Sequence, residues 1–208
     1  MIGRQLLSAI AIFLILNRTV TTMMLPNELG SILTNLARRA IEYFLVHRTY
    51  LPVPRDLFRE LYEQKAGVFI CLKIHGQLRG CIGTFHPQHD HLIAEIIYNA
   101  VSAAVEDPRF PPVTLKDLPD IHITVDILTP PESIDSPDQL DPKRYGVIVQ
   151  RGWRRGLLLP DIEGVDSIQE QIRIARAKAG IKPNEPVELF RFRVERYSEL
   201  ENYEENHR

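Results

Sequence analysis

Residues 68–85, VFICLKIHGQLRGCIGTF, give the clearest local signal in the sequence and predict a β-hairpin. The segments Val68–Ile74 and Leu78–Phe85 have the character of two paired strands. Between them, His75-Gly76 has the chemistry of a two-residue loop. At least one β-sheet therefore belongs to the fold.

The loop sets the register of this hairpin. With His75-Gly76 as the loop, Ile70 faces Cys81, and Cys71 lies on the opposite face of the sheet. That register excludes a disulfide between Cys71 and Cys81. A slip by one residue would instead put Cys71 opposite Cys81, so a disulfide in the native protein would contradict the predicted register.

Apolar residues at spacings of three and four predict three long amphipathic helices, and a short helix is expected as well. We expect the four helices at 27–47, 56–64, 92–104 and 167–180. Asp90 is predicted to cap the helix that starts at 92. Ser167 and Glu170 form a capping box, and Gly180 ends the last helix.

Further strands are predicted at 121–128, 145–150, 156–159 and 187–194. The second and third of these form another hairpin, with Arg-Gly-Trp-Arg-Arg at its tip. A polar tail, 198–208, follows the last strand and is expected to be loose. Because strands and helices do not alternate as in βαβ units, we predict an α+β fold with a mixed, largely antiparallel sheet flanked by helices.

The composition excludes several classes of protein. A chain of 208 residues favours one domain over two. With 44% hydrophobic and 25% charged residues, it is not a disordered, collagen-like or coiled-coil chain. The 25 Lys and Arg against 27 Asp and Glu give a net charge of −2, so no overall basic field attracts nucleic acid or an anionic membrane. We therefore predict no nucleic-acid partner.

Cysteine content and loop motifs narrow the remaining classes. Cys71 and Cys81 are too few to hold a chain of this length together through disulfides, which favours a reducing compartment such as the cytoplasm. The sequence has no G-x-G-x-x-G after a first strand and no G-x-x-x-x-G-K-[ST]. We predict no cofactor.

An apolar run, Leu6–Leu16, stands near the amino terminus after Arg4. It falls short of the ~20 residues that span a bilayer, so no stable membrane insertion is expected. Its length fits a signal-peptide core, but no small-residue cleavage site follows it. Residues 1–23 are therefore an upstream extension of a chain that starts at Met24, an export or anchoring segment, or a helix packed on the domain. We expect the domain itself to span 24–197.

The strand Leu78-Arg-Gly-Cys-Ile-Gly83 carries the candidate catalytic residue. Side chains repeat every two residues along a strand, so Arg79 and Cys81 are expected on one face. A guanidinium favours the reactive thiolate, which makes Cys81 a candidate nucleophile or part of an anion site. Gly80 and Gly83 allow another backbone or a ligand to come close. The alternative is structural, because cysteine is among the most buried residue types and a strand glycine often marks a bulge.

Asp107 and Arg109 belong to the segment Asp107-Pro-Arg-Phe-Pro-Pro112, which follows a predicted helix. In one interpretation, Arg109 simply pairs with a carboxylate at the surface. In the other, Arg79 and Arg109 converge on one cleft and bind the carboxylate or phosphate of a ligand.

Three other polar clusters each have two interpretations. His86-Pro-Gln-His-Asp-His91 contains metal-ligating residue types but is more typical of a polar loop with a helix cap, and no metal site is predicted. Asp161, Glu163 and Asp166 suggest a loop for a hard cation, although the neighbouring capping box explains most of this acidity. The arginines and tryptophan of 151–155 fit a solvated turn better than a nucleic-acid surface.

Several blocks of sequence occur together in a specific order. They are Leu78-Arg-Gly-Cys-Ile-Gly-Thr84, Asn99-Ala100 with Ala103-Ala104, Asp107-Pro-Arg-Phe-Pro-Pro112, Tyr145-Gly-Val-Ile-Val149, Gly156-Leu-Leu-Leu-Pro160 and Lys178-Ala-Gly180. In this order the chain, from about Leu33 to Tyr197, resembles the AMMECR domain family, whose bacterial and archaeal members are known as AmmeMemoRadiSam system protein A.

The resemblance implies two unequal lobes, with the Arg-Gly-Cys-Ile-Gly strand near a cleft between them. It transfers the suspected site of the family to Arg79, Gly80, Cys81 and Gly83, with Asp107 and Arg109 as secondary candidates.

The resemblance also implies partners. It suggests a ligand-binding or adaptor component that acts with a Memo-like protein, itself similar to non-haem iron dioxygenases, and with a radical S-adenosylmethionine enzyme. The alternative is a small enzyme that acts on an anionic small molecule through Cys81 in a cleft. No reaction is established for the family, so the resemblance supplies context but no chemistry.

Overall fold

The computed structural model describes residues 26–199. This part of the chain forms four α-helices: α1 (Pro26–His47), α2 (Arg59–Glu63), α3 (Leu92–Val105) and α4 (Ile168–Lys178). It also forms eight strands: β1 (Val68–Ile74), β2 (Gln77–Thr84), β3 (Ile121–Leu128), β4 (Glu132–Ile134), β5 (Gly146–Arg151), β6 (Arg154–Leu158), β7 (Glu188–Phe192) and β8 (Val194–Ser198). None of these helices is both long and apolar enough to cross a membrane. The predicted leader, 1–23, lies outside the described residues.

The strands form two four-stranded sheets, and within residues 26–199 every strand pairing is antiparallel. The first sheet has the strand order β2-β1-β3-β8, and the second has the order β4-β7-β5-β6. This arrangement confirms the α+β prediction. The sequence indicated one sheet, whereas the structure divides the strands between two.

Helices α1 and α3 cover one face of the first sheet and form the larger core with it. Alternate residues of β1, namely Val68, Ile70 and Leu72, point into this core because side chains alternate across a strand. The apolar stripe of α1 packs on them, with Leu33 and Ile41 fully buried. The opposite face of the first sheet carries the half-buried residues that lie between these positions.

Helix α4 covers one face of the second sheet in a smaller core. Val147 and Val149 of β5 pack there with Leu158 of β6 and Ala175 of α4. A Cβ atom on Gly156 of β6 would lie 1.9 Å from the carbonyl oxygen of Ala175. Only glycine therefore lets α4 approach β6 this closely.

A third apolar cluster joins the two sheets. Leu128 of β3, Ile148 of β5 and Phe192 of β7 are buried in it, and Phe69 of β1 packs against them. Since Phe69 lies two residues before Cys71 on the same face of β1, this cluster brings the second sheet close to the cysteines.

The chain crosses from the second sheet to the first at Arg193. The single strand predicted at 187–194 is wrong, because β7 belongs to the second sheet and β8 to the first. The backbone N–H of Arg193 donates to Thr129 Oγ1 at 2.9 Å, and its carbonyl accepts from the N–H of Thr129 at 3.0 Å. Thr129 lies between β3 and β4, where the chain crosses in the other direction, so the two crossings stabilise each other.

Two helix caps differ in part from their predictions. His91, rather than Asp90, caps α3, and its Nδ1 accepts a backbone N–H of the first turn at 3.1 Å. Ser167 caps α4 as predicted by accepting the N–H of Glu170 at 3.2 Å. The carboxylate of Glu170 binds Arg173 and does not close the capping box. The predicted short helix is confined to α2.

The first residues of the predicted tail are tied to the first sheet. Ser198 is the last residue of β8. The carboxylate of Glu199 accepts hydrogen bonds from the backbone N–H of Ile123 at 2.9 Å and from the guanidinium of Arg38 at 2.7 Å. The expectation of a loose tail is therefore wrong for these two residues, and residues 200–208 lie outside the described part of the chain.

Candidate functional site

The hairpin of β1 and β2 has the predicted loop but contains a β-bulge beyond it. Lys73 pairs with Leu78, as the loop predicts, but Leu72 then pairs with Gly80. Arg79 is therefore an extra residue on β2 that has no partner on β1. From this point onward the register differs by one residue from the prediction.

The bulge places Cys71 directly opposite Cys81, so the predicted pairing of Ile70 with Cys81 is wrong. Without the bulge, Arg79 would point from β2 into the core under α3. With the bulge, Gly80 takes that position, and a Cβ atom there would lie 2.1 Å from a helix carbonyl oxygen. The shift thus keeps a charged side chain out of the core and lets α3 pack on the sheet.

Arg79 lies against the segment that follows α3. Its guanidinium donates to the carbonyl of Pro111 at 2.7 Å and of Pro112 at 3.3 Å, and it lies 3.7 Å from the carboxylate of Asp117. The prediction that Arg79 and Cys81 share a face rests on a two-residue period, which the bulge interrupts. Arg79 therefore holds this segment in place through its contacts with Pro111, Pro112 and Asp117.

Asp107 and Arg109 bind the backbone of Cys81 from outside the sheet. The N–H of Cys81 donates to Asp107 Oδ2 at 2.9 Å, and its carbonyl accepts from Arg109 Nη2 at 3.1 Å. Two further hydrogen bonds, at 2.9 and 2.6 Å, join the guanidinium of Arg109 to the carboxylate of Asp107. We call this arrangement the Asp107–Arg109 clamp. It satisfies the backbone of an edge strand as a neighbouring strand would.

The carboxylate of the clamp is buried, whereas its guanidinium is half-exposed to solvent. The side chain of Asp107 is only 2% exposed, whereas that of Arg109 is 54% exposed. The hydrogen bond from Arg109 holds the pKa of Asp107 well below its usual range, and the backbone N–H of Cys81 lowers that pKa further. Arg109 therefore pairs with a carboxylate and borders Cys81, while Arg79 contacts Pro111, Pro112 and Asp117.

The two thiols interact directly with each other. Cys71 and Cys81 are both free and half-buried. The hydrogen bond between them lowers the pKa of Cys71 and raises that of Cys81, and burial raises the pKa of Cys81 further. Cys71 is therefore the more acidic thiol of the pair, although the sequence singled out Cys81.

Two more cations from distant parts of the chain lie near the thiols. Arg196 of β8 pairs with Asp126 at 2.8 Å and acts electrostatically on Cys71. Lys178 is exposed at the end of α4; partial desolvation lowers its pKa, Cys81 raises it and Arg109 lowers it. Lys178 makes no ion pair within the described residues.

The sequence did not place Cys71, Lys178 or Arg196 in the candidate site. Lys178 stood in the block Lys178-Ala-Gly180, which carried the family resemblance, so a signal for this residue was present. For Cys71 the signal was the alternative register of the first hairpin, in which a slip by one residue places Cys71 opposite Cys81. Nothing in the sequence placed Arg196 near the site, because it reaches the thiols only through the pairing of β3 with β8.

The two glycines predicted to bind a ligand lie against protein atoms. Gly80 faces α3, where the carbonyl oxygen of Ala103 occupies the space of a side chain. A Cβ atom on Gly83 would lie 2.3 Å from the carbonyl oxygen of Val68 and 2.4 Å from the ring of Phe69. Both positions thus have a packing role in the structure.

The histidine-rich loop before α3 is organised by a buried carboxylate. Glu95, only 1% exposed, accepts the backbone N–H groups of Gln88 at 2.8 Å and His89 at 2.9 Å, and also the hydroxyl of Thr84. Across residues 26–199, no group of three or more His, Cys, Asp or Glu side chains is placed to hold a metal ion.

The remaining polar clusters are occupied by ion pairs. Lys143 lies 3.0 Å from Asp166 and 3.6 Å from Asp161. At the tip of the second hairpin, Arg154 binds Glu185 at 2.6 Å, while Trp153 is 91% exposed.

The fold and the site together define a class of α+β proteins in which two antiparallel sheets meet beside a clamped cysteine strand. The AMMECR1 family model matches residues 34–198, and the chain belongs to the AMMECR1 family. A protein of Thermotoga maritima is 52% identical over 163 residues, which cover 77% of this chain and 94% of that protein. Protein CA_C1420 of Clostridium acetobutylicum is 44% identical over 165 residues, which cover 79% of this chain and 35% of that protein.

A solved structure has the same fold. The crystal structure of the uncharacterized protein PH0010 from Pyrococcus horikoshii superposes with a TM-score of 0.78 at 37% sequence identity. The match covers 84% of this chain and 93% of that chain.

Proposed function

We propose that this AMMECR1-family protein is a ligand-binding component that holds a small anion beside the cysteine pair. The observation that carries this proposal is the position of Lys178, an exposed cation that acts electrostatically on Cys81 and Arg109 and has no ion-pair partner among residues 26–199. Because Asp107 neutralises only Arg109, the positive charge of Lys178 beside it is available to an anion.

The chemistry of the surrounding groups favours a carboxylate or a phosphate. Arg109 has a half-exposed guanidinium whose inner edge is fixed by Asp107, which leaves its outer side free to donate to a ligand. Lys178 adds a second, compact positive charge from α4. An anion bound between these two residues would also lie beside the thiols of Cys71 and Cys81.

The partners follow from the family resemblance. We propose that the ligand-binding component acts in the cytoplasm with a Memo-like protein and a radical S-adenosylmethionine enzyme. The two free thiols of Cys71 and Cys81 are consistent with a reducing compartment. In this arrangement the protein presents its ligand, or the surface around it, to the partner enzymes.

The anion site is tested by calorimetric titration of the full chain with inorganic phosphate and with malonate. We expect at least one of these anions to bind, and Lys178→Gln to weaken that binding by about tenfold because it removes one charge-assisted hydrogen bond. Lys65→Gln is the matched control, since Lys65 pairs with Asp90 outside the candidate site. Equal affinity in wild type and Lys178→Gln would contradict the proposal, as would no binding of either anion.

The partner proposal has its own test. The purified protein is mixed with the Memo-like protein and with the radical S-adenosylmethionine enzyme of the same genome, and complexes are measured by size-exclusion chromatography with light scattering. We expect a complex with at least one of them. Separate elution of all three proteins, with and without phosphate, would contradict a shared assembly.

The alternative function is a small enzyme in which Cys81 attacks an anionic substrate. Attack requires the thiolate of Cys81, but the hydrogen bond to Cys71 and burial both raise its pKa. These contacts favour the ligand-binding proposal over a nucleophilic Cys81.

A further inference from the structure

We propose that Cys71 and Cys81 form a redox couple that closes into a cross-strand disulfide by exchange with small-molecule disulfides. This proposal goes beyond the anion site and does not rest on it, because the exchange needs only the two thiols.

The backbone contacts of Cys81 fix the geometry of the pair. In an antiparallel ladder, directly opposed residues either exchange both backbone hydrogen bonds or exchange none. The N–H of Cys81 donates to Asp107, and its carbonyl accepts from Arg109, so both groups point away from β1. Cys71 and Cys81 are therefore a non-hydrogen-bonded pair.

This type of pair has the dimensions that a disulfide requires. Residues in a non-hydrogen-bonded pair have Cα atoms about 4.5 Å apart, and their side chains come closer together than in the other type. Disulfides span Cα separations of about 4.4–6.8 Å. Because Cys71 and Cys81 are directly opposed in the ladder, their side chains project from the same face of the sheet. Closing the bond needs little movement of either strand.

The exchange proceeds in two balanced steps. The thiolate of Cys71 attacks one sulfur of a disulfide RSSR, the S–S bond of the reagent breaks, and RS⁻ leaves with the electron pair and takes up a proton. With Cys71 held in the mixed disulfide, its thiolate no longer raises the pKa of Cys81. Cys81 then loses its proton and attacks the sulfur of Cys71, expelling the second RS⁻. Two protein thiols are oxidised to one disulfide, and the reagent is reduced to two thiols.

The surroundings of the pair suit this chemistry. Both cysteines are partly exposed, which gives a small reagent access to them. Arg196 lowers the pKa of Cys71 and Arg109 lowers that of Cys81, whereas the carboxylate of Asp126 raises the pKa of both thiols. Oxidised glutathione is a suitable small disulfide reagent for this exchange.

The test equilibrates the full, reduced chain with mixtures of reduced and oxidised glutathione, followed by acid quenching, intact-mass measurement and peptide mapping. We expect wild type to lose two hydrogens, to keep no glutathione adduct, and to yield a peptide pair joined through Cys71 and Cys81. Cys81→Ser should stop with one glutathione on Cys71. Cys71→Ser should react on the order of tenfold more slowly, because the more acidic thiol is gone.

Three outcomes would overturn the proposal. One is a lasting glutathione adduct on wild type, the second is a disulfide-linked dimer in place of the internal bond, and the third is no reaction unless denaturant is added. Circular dichroism and urea unfolding of both serine variants show whether they keep the native fold, and wild type alone decides the proposal if they do not.

A neutral reagent separates this proposal from the anion site. Bis(2-hydroxyethyl) disulfide carries no charge, so Lys178→Gln should still form the internal disulfide with it. If phosphate binding fails but the disulfide forms, only the anion site is wrong. If phosphate binds and no disulfide forms under either reagent, only the redox proposal is wrong.

Discussion

The β1–β2 and β5–β6 hairpins are built on the same plan. Each closes with a two-residue loop and ends in an edge strand of its sheet. Each edge strand places one glycine under a helix: Gly80 lies against Ala103 of α3, and Gly156 lies against Ala175 of α4. Added Cβ atoms at these glycines would lie 2.1 and 1.9 Å from the respective carbonyl oxygens.

The hairpins differ in how far the glycine lies from the loop. Gly156 is the third residue after its loop, and the pairing of β5 with β6 is regular along its length. Gly80 is the fourth residue after its loop, and the bulge at Arg79 absorbs the difference. This single extra residue brings Cys71 opposite Cys81. Helix packing on a glycine therefore sets the register here, and the cysteine pair is a consequence of it.

The largest effect is expected from filling the two glycine positions. Gly80→Ala and Gly156→Ala should each lower the free energy of unfolding by about 3 kcal/mol or more. The opposing atom in each case is a backbone carbonyl oxygen of a helix, which cannot move aside as a flexible side chain can. Urea unfolding followed by circular dichroism measures both.

The control for these variants is Gly152→Ala in the loop of the second hairpin. Gly152 has open space around it and a φ of +57°, so only backbone strain of about 1 kcal/mol is expected. A loss for Gly80→Ala no larger than that for Gly152→Ala would mean that helix contact does not determine the register.

A smaller effect is expected from breaking the clamp that only the first hairpin has. Asp107→Asn should lower the free energy of unfolding by about 2 kcal/mol at neutral pH, because it leaves Arg109 without its carboxylate partner and weakens the hydrogen bond to Cys81. Glu185→Gln, which removes the partner of Arg154 in the second hairpin, should cost less because the carboxylate of Glu185 is more exposed than that of Asp107.

The pH dependence of the stability difference between wild type and Asp107→Asn tests whether the charge of Asp107 causes that difference. The pKa of Asp107 is lower in the folded chain than in the unfolded one, so its contribution is complete above the unfolded pKa, about 4, and declines as pH falls toward the folded pKa. The difference between wild type and Asp107→Asn should therefore narrow below about pH 4. A difference that stays constant with pH would point to packing and not to charge.

The smallest effect is expected in the order of thiol alkylation. Iodoacetamide should modify Cys71 before Cys81 near neutral pH, since the thiol contact lowers the pKa of Cys71 and raises that of Cys81. In Cys71→Ala, the labelling of Cys81 should begin at a lower pH than in wild type. Peptide mapping across a pH series measures both, and faster labelling of Cys81 in wild type would contradict the assigned direction of the hydrogen bond.

The long elements could be predicted from the sequence because their signals are local. The apolar stripes of α1 and α3 and the alternation in β3 each arise from contacts within one element and one core face. The bulge at Arg79 was harder to predict from the sequence. It depends on the contact of β2 with Ala103 of α3, and the sequence does not show where α3 packs. Counting residues from each loop to its glycine would have indicated it.

The candidate site could be predicted only in its sequential part. Cys81, Asp107 and Arg109 stood in recognisable blocks, and the structure brings them together. Lys178 and Arg196 reach the same place through the packing of α4 and the pairing of β8. The crossing between the two sheets at Arg193 was not predicted, because a single residue between two strands carries no turn signal.

The pairing of β3 with β8 has a consequence for how the chain is synthesised. The first sheet lacks its fourth strand until residues 194–198 have left the ribosome, after all the strands of the second sheet. Nascent chains would then carry an unpaired β3 edge while residues 129–193 are made, and such edges are prone to intermolecular association. The smaller sheet is complete first, and the larger core that supports the cysteine pair closes last.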